Sequence, residues 1–408
     1  MGKLQHILSG VIVKNRSHNA HRDSKLWVFG EWFGERCCDN SRYFANYVAS
    51  VHPEIRVMWI SKDSVNTSSL DARIKVLVMD SDEAKDILCR CGVAIISQGF
   101  QDLSSNGFNY VDGAVSVHLW HGVPWKKIGH DGSSKKGLLF ALYKKINDYA
   151  FGTDYYTSPS DKYDKIAYSA HGAKAKQIIH AGYARNADFY CPDKIAKGKD
   201  RILIELNKIS PEFDFSDCKI ISYMPTFRNE ASHSFSFESL RENKSFARYL
   251  EENNAIVIQK AHYVNQSRDR KTVTGGKNRI YSLNNIAAQD LLCASDLLVT
   301  DYSGAFFDFL LLDRPIVHYL YDYEYYRTQD RGLYYSKEDV IAGEEAYEKE
   351  QLADAIIKNL DNPDLYKERR HKIRSIYMKY DTKNSCEILY KAILNEVKRR
   401  NFNESTNP

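Results

Sequence analysis

Ser295-Asp296-Leu297-Leu298-Val299-Thr300-Asp301-Tyr302-Ser303-Gly304-Ala305-Phe306-Phe307-Asp308-Phe309 is the stretch whose reading decides the fold. Residues 297–300 are apolar or β-branched without a break, which suits a strand buried on both faces, and a short polar turn leads straight into an apolar helix. A buried strand feeding a helix is half of a βαβ unit, and such units build parallel sheets. Outward from this segment the alternation recurs in two series. One runs through residues 26–29, 57–60, 76–78, 93–97, 115–119, 155–157 and 177–180, with helices expected over 41–51, capped by Asp39 or Asn40, and over 82–88. The other runs through 220–223, 255–259, 297–300 and 316–319 after a polar stretch at 192–200. The fold class read from this is α/β, two doubly wound Rossmann-like domains facing a central cleft. They are expected at 1–190 and 191–385, with a C-terminal helix and polar tail at 386–408; strand C-termini would line the ligand site.

Composition narrows the class. With 408 residues, at roughly 150 per domain, two or three domains are expected. A 43% hydrophobic, 27% charged chain is globular, which excludes disordered and collagen-like readings. No run approaches the roughly 18 to 20 apolar residues of a membrane span, and the first twenty residues are too polar for a secretory signal, so a cytoplasmic protein is expected. Eight cysteines without C-x-x-C spacing read as reduced thiols, and a net charge of +4 gives no argument for nucleic acid.

Three segments carry chemistry. In His118-Leu-Trp-His121-Gly122-Val-Pro124-Trp-Lys126-Lys127 a strand ends in a stiff turn, which suits His121 as a general base; a core histidine bonded to backbone is the competing reading, and it fits His118 better. Met224-Pro225-Thr226-Phe227-Arg228 places a hydroxyl and a guanidinium at a strand end, and the strand at 255–259 delivers Lys260 and His262 to the same edge, groups matched to phosphate oxygens. The turn Asp301 to Gly304 offers the Ser303 hydroxyl and free amides at a helix start, an anion site or an ordinary cap.

With these residues in view the chain resembles the CDP-glycerol glycerophosphotransferase family, the teichoic acid primases and polymerases and their capsule-synthesis relatives. The likeness rests on His118-Leu-Trp-His121-Gly122 with Lys126-Lys127-Ile128-Gly129, Gly182-Tyr183 with Arg185-Asn186, Pro225-Thr226-Phe227-Arg228, Lys260 with His262, and the 295–309 segment. It continues through Arg314-Pro315, Tyr321-Asp322, Tyr326-Arg327 and Arg331-Gly332. It implies a GT-B fold and transfer of an alditol phosphate from a CDP-activated donor to a hydroxyl of a polyprenyl-linked or glycan acceptor, releasing CMP. His121 matches the family's base, while His262, Arg228 and the 301–304 turn match its donor-phosphate site; Gly122, Arg327 and Arg331 are further cleft candidates. No cofactor or metal is required on this reading, because Arg228, Lys260, His262 and a helix N-terminus supply the positive charge. Gly304 stands where many members of the family have a second Ser, which removes one hydroxyl and places donor identity in question; His130 stands where an apolar or aromatic residue is common, and Ala184 where Pro often follows the Gly-Tyr pair. The alternatives are a CDP-ribitol ribitolphosphotransferase, a nucleotide-sugar glycosyltransferase of the same fold, and an inactive partner in a polymer-assembly complex.

One further segment bears on location. An apolar stretch from Gly137, with Leu138, Leu139, Leu142 and Ile146, is bracketed by Lys126-Lys127, Lys135-Lys136 and Lys144-Lys145. It reads either as a helix packed on its own domain or as a surface that makes the protein peripheral on the inner face of the cell membrane.

Overall fold

A computed structural model describes residues 3–133, 137–226, 235–260, 279–283, 286–329, 332–400 and 402. The chain forms two compact units. The first comprises residues 1–121, 129–187 and 379–408, and the second residues 122–128 and 188–378.

The first unit holds a seven-stranded, wholly parallel sheet built from β1 (Asp23–Phe29), β2 (Arg56–Ser61), β3 (Lys75–Val78), β4 (Cys91–Ile96), β5 (Val115–His118), β6 (Tyr155–Ser158) and β7 (Ile178–His180). Its order is β3-β2-β1-β4-β5-β6-β7. β4 is buried along its whole length, as expected of a strand with helices on both faces. The helix Asn40–Val51 shows why the amphipathic stretches fold as they do. Asp39 caps its first amide, and the buried Ser41, Phe44, Ala45, Val48 and Ala49 recur at helical spacing to face Trp27, Phe29 and Trp59 in the core.

The second unit repeats the plan with β8 (Lys219–Met224), β9 (Ala255–Gln259), β10 (Ile280–Ser282), β11 (Leu297–Thr300), β12 (Ile316–Tyr319) and β13 (Glu344–Ala346). The order is β10-β9-β8-β11-β12-β13, again parallel throughout. In both sheets the order reverses beside the first strand, at β1/β4 and at β8/β11. The carboxyl ends of strands at such a reversal are where open α/β sheets leave a crevice.

Three features differ from the sequence reading. β10 and β13 are three-residue edge strands, too short to show an alternation, and β13 begins with two glutamates, as edge strands often carry charge. The helix Lys3–His18 is additional to the elements expected; its Ser17 hydroxyl donates to the Asn109 carbonyl at 3.1 Å and Ile7 is buried. The segment after residue 378 is no appendage. In the helix Ser385–Arg399, Cys386, Leu389, Tyr390, Ile393 and Val397 join the core of the first unit, and Tyr390 stacks on His52 with ring centroids 3.6 Å apart.

Candidate functional site

Beyond β5, where the chain passes from the first unit to the second, it is bent by two unusual residues that flank His121. Trp120 adopts φ +56°, a left-handed conformation that costs a bulky residue energy, and Gly122 adopts φ +130°, open only to glycine. The bend is held by its neighbours. Asn40 donates its side-chain amide to the Trp120 carbonyl at 2.8 Å, and Arg185 donates to the His121 carbonyl at 3.0 Å. The same guanidinium nitrogen pairs with Asp39 at 2.6 Å, with both side chains less than a tenth exposed. Asp39 also accepts from the Trp32 indole at 2.9 Å, and the rings of Trp32 and Trp120 lie 5.3 and 4.0 Å from the His121 ring.

This setting fixes the charge of His121. Burial of the ring pushes its pKa down to about 4; Arg185 and His118 push the same way, against the opposing charge of Asp39. The imidazole is therefore unprotonated at neutral pH, as a base must be. His118 is the core histidine, 6% exposed, with Nε2 2.9 Å from the Ser97 carbonyl and its pKa also lowered by burial to about 4.

Glu31 follows β1 at the sheet reversal and has no solvent exposure; it accepts from the amides of Cys38 and Asp39. Burial, then the charge of Asp39, raises its pKa from 4.5 to about 8. An unfolded carboxyl releases its proton near 4.5 whereas the folded one keeps it to about 8, so the unfolded state binds fewer protons across that window and stability falls as pH rises through it. Melting temperatures measured from pH 5 to 8 should fall for the wild type and stay flatter for Glu31→Gln, which keeps one amide-accepting oxygen. Parallel curves would contradict this protonation state.

In the second unit the chemistry gathers at the β8/β11 reversal. Asp301 has no exposure, and its carboxylate accepts from the Thr226 amide at 2.8 and 3.1 Å and from the Thr226 hydroxyl at 2.7 Å. Asp301 thus pins one turn to the other and faces protein. Ser303 is half-buried beside it and accepts from the Ala305 amide at 3.4 Å. Gly304 has ordinary helical backbone, φ −65°, so its lack of a side chain serves space: a Cβ there would lie 2.5 Å from the Val123 carbonyl oxygen. The helix that follows, Ala305–Phe309, is only five residues long, so its dipole contributes less at this turn than the sequence leads one to expect.

Lys260 is 9% exposed and its amide donates to the Tyr223 carbonyl at 3.0 Å, carrying β9 one residue further beside β8. Arg327 stands apart on the helix Tyr323–Gln329, paired with Glu324 at 2.8 Å on the surface. Arg228, His262 and Arg331 lie outside the described residues.

Glu31, and Gln98, whose side chain lies 3.0 Å from the His121 ring, are additions that no local pattern announces. Asp39 is legible as a helix cap, and Arg185 enters only through the family likeness. Among the described residues one group, Asp161, Asp164 and His180, has metal-ligating atoms within 4.8 Å of one another, but Lys379 already places an ammonium 2.8 Å from Asp161.

The family model described as CDP-Glycerol:Poly(glycerophosphate) glycerophosphotransferase matches residues 12–395. The chain belongs to that family. It is 33% identical over 255 residues to a teichoic acid poly(glycerol phosphate) polymerase of Bacillus spizizenii, covering 59% of this chain and 60% of that protein. It is 26% identical over 276 residues to the teichoic acid ribitol-phosphate polymerase TarL of Staphylococcus aureus, covering 67% and 46%. The chain therefore spans about half to three-fifths of the length of these curated relatives. Among solved structures, that of the wall teichoic acid polymerase TagF superposes with a TM-score of 0.77 at 21% identity, covering 98% of this chain and 97% of that one, which is a likeness of fold.

Proposed function

We propose that the protein transfers glycerol phosphate from CDP-glycerol to a hydroxyl of a teichoic-acid-like or capsular polymer, polyprenyl-linked or glycan, and releases CMP. His121 takes the proton of the acceptor hydroxyl, whose oxygen attacks the distal phosphorus as the bond to CMP breaks. Ser303, Lys260, Arg228 and His262 neutralise charge on the transferring and leaving phosphates, while Asp301 acts by holding Thr226 in place. The observation that carries this reading is His121 itself, presented at the end of a strand on a bend held by Asn40 and Arg185, within a chain that the family model matches across residues 12–395. Incubation with CDP-glycerol and CDP-ribitol in turn, with a defined acceptor and mass spectrometry of the product, separates the glycerol from the ribitol reading. Absence of CMP release with either leaves a binding role.

For the donor site, Ser303→Ala combined with Arg228→Ala should weaken CDP-glycerol binding. A hydrogen bond to a charged group contributes about 1.5–3 kcal/mol, so removing each one should raise Kd roughly 10- to 150-fold. Calorimetry with unchanged donor affinity would remove both residues from the site.

The acceptor is proposed to arrive from a membrane surface. No helix among the described residues is long and apolar enough to cross a membrane. The helix Leu138–Phe151 instead leaves its apolar side uncovered, with Leu138 87%, Leu139 85% and Leu142 54% exposed, which speaks against the packed-helix reading. Of the lysines expected to bracket it, Lys144 and Lys145 lie on the helix itself. Lys126 and Lys127 belong to the second unit, where the Lys127 amide donates to Gly332, and residues 135 and 136 lie outside the described residues. The exposed leucines supply the apolar contact, and Leu138→Ser with Leu139→Ser and Leu142→Ser should abolish sedimentation with anionic liposomes while sparing transfer to a soluble acceptor. Unaltered sedimentation would exclude this helix as the docking surface.

A further inference from the structure

Gln98 follows β4 in a loop whose backbone is fixed from several sides. The amides of Ser97 and Gln98 each donate to the buried Asp102 carboxylate at 2.7 Å, and the Phe33 amide donates to its other oxygen at 2.8 Å. The Ser97 hydroxyl accepts from the Trp32 amide at 3.3 Å, and its carbonyl is engaged by His118. From this clamped loop the Gln98 side-chain amide, placed with its Nε2 toward the ring, lies 3.0 Å from Nδ1 of His121. Among the described residues that side-chain amide makes no other hydrogen bond, so nothing opposes either orientation of its oxygen and nitrogen.

The two orientations are not chemically equivalent. A neutral imidazole protonates one ring nitrogen and offers a lone pair on the other. If the amide nitrogen donates to Nδ1, the ring proton sits on Nε2 and no nitrogen is left to accept a substrate proton. If the amide oxygen faces the ring, Nδ1–H donates to it and Nε2 keeps an open lone pair. Asp39, whose charge also bears on the ring, makes no hydrogen bond to it among the described residues; its oxygens accept from Arg185, the Asn40 amide and the Trp32 indole.

We infer that Gln98 is a positioning residue whose side-chain oxygen holds His121 as the Nδ1–H tautomer, leaving Nε2 as the atom that takes the acceptor hydroxyl's proton. This rests on His121 being the base. An uncharged partner has a consequence that a carboxylate would not have: it orients the ring without adding a charge that would raise its pKa, which burial holds down while the surrounding groups push both ways, Asp39 and the Ser97 carbonyl up, Arg185 and His118 down. Those groups are Asp39 at the start of the helix Asn40–Val51, Arg185 beyond β7, His118 on β5 and His171 at the end of the helix Asp161–His171.

Long-range ¹H–¹⁵N spectra of ¹⁵N-histidine-labelled protein, with the His121 signals assigned by their loss in His121→Ala, read the tautomer directly. Protonated Nδ1 is expected, and protonated Nε2 overturns the inference whether or not the protein transfers anything. Gln98→Met keeps the shape but cannot accept; kcat should fall about 10- to 100-fold, the scale on which hydrogen-bond partners that orient a functional imidazole act, with donor KM unchanged. Gln98→Glu keeps the acceptor and should restore kcat at alkaline pH. Its charge favours the imidazolium, so the acid limb of the kcat profile should move to higher pH. Wild-type kcat in Gln98→Met alongside an inactive His121→Ala would sink the positioning role, whereas full activity in His121→Ala would sink the base itself.

Discussion

His121→Ala should lower the transfer rate by at least about 10²- to 10⁴-fold, the contribution typical of a positioned general base, and leave CDP-glycerol affinity nearly unchanged. The imidazole is hydrogen-bonded to the Gln98 side chain, so its removal strands little. The bend survives because Trp120 and residue 121 are held through their carbonyls by Asn40 and Arg185, interactions indifferent to the side chain at 121. Turnover should be followed as CMP release at saturating donor, with affinity measured separately by calorimetry. Turnover within a few-fold of wild type would take His121 out of the mechanism.

The largest stability effect is expected from Asp39→Ala. Its partner Arg185 is 7% exposed, so deleting the carboxylate breaks a buried ion pair, which costs about 3–5 kcal/mol. The Asp39 carboxylate also caps the helix Asn40–Val51, a loss of about 1 kcal/mol more. Replacing both partners, Asp39→Leu with Arg185→Met, should recover much of the difference because no charge is left buried. Urea unfolding followed by tryptophan fluorescence tests this, since Trp27, Trp32, Trp59 and Trp120 all lie in the first unit. A single-mutant loss under about 1 kcal/mol would contradict the part given to this pair in stability.

Much of the architecture is legible in the chain because parallel strands buried on both faces leave unbroken apolar runs, and residues 297–300 and 93–97 are read from that property alone. The edge strands β10 and β13 are not, because three residues with one face near solvent carry no such run. The site divides in the same way. His121, Thr226 and Ser303 stand where strands end, a position that local pattern reveals. Gln98 meets His121 across 23 residues and Asp39 meets Arg185 across 146, and such pairings follow from strand order, which no window of sequence contains. The side of Leu138–Phe151 that stays uncovered is illegible for another reason: helical spacing of leucines is the same whatever covers them.

The return of residues 379–400 to the first sheet sets an order of events during synthesis. The groove beside Trp27 and Phe44 that receives Leu389, Tyr390 and Ile393 is complete in all its other parts once residue 187 has been made, yet its filling is encoded some two hundred residues later. At ribosomal rates of about 5–20 residues per second, that groove stays open for on the order of 10–40 s while the whole second unit is produced. A nascent chain of this protein therefore carries a finished but unroofed half-domain, a surface on which chaperones would dwell and where stalled or truncated products would aggregate.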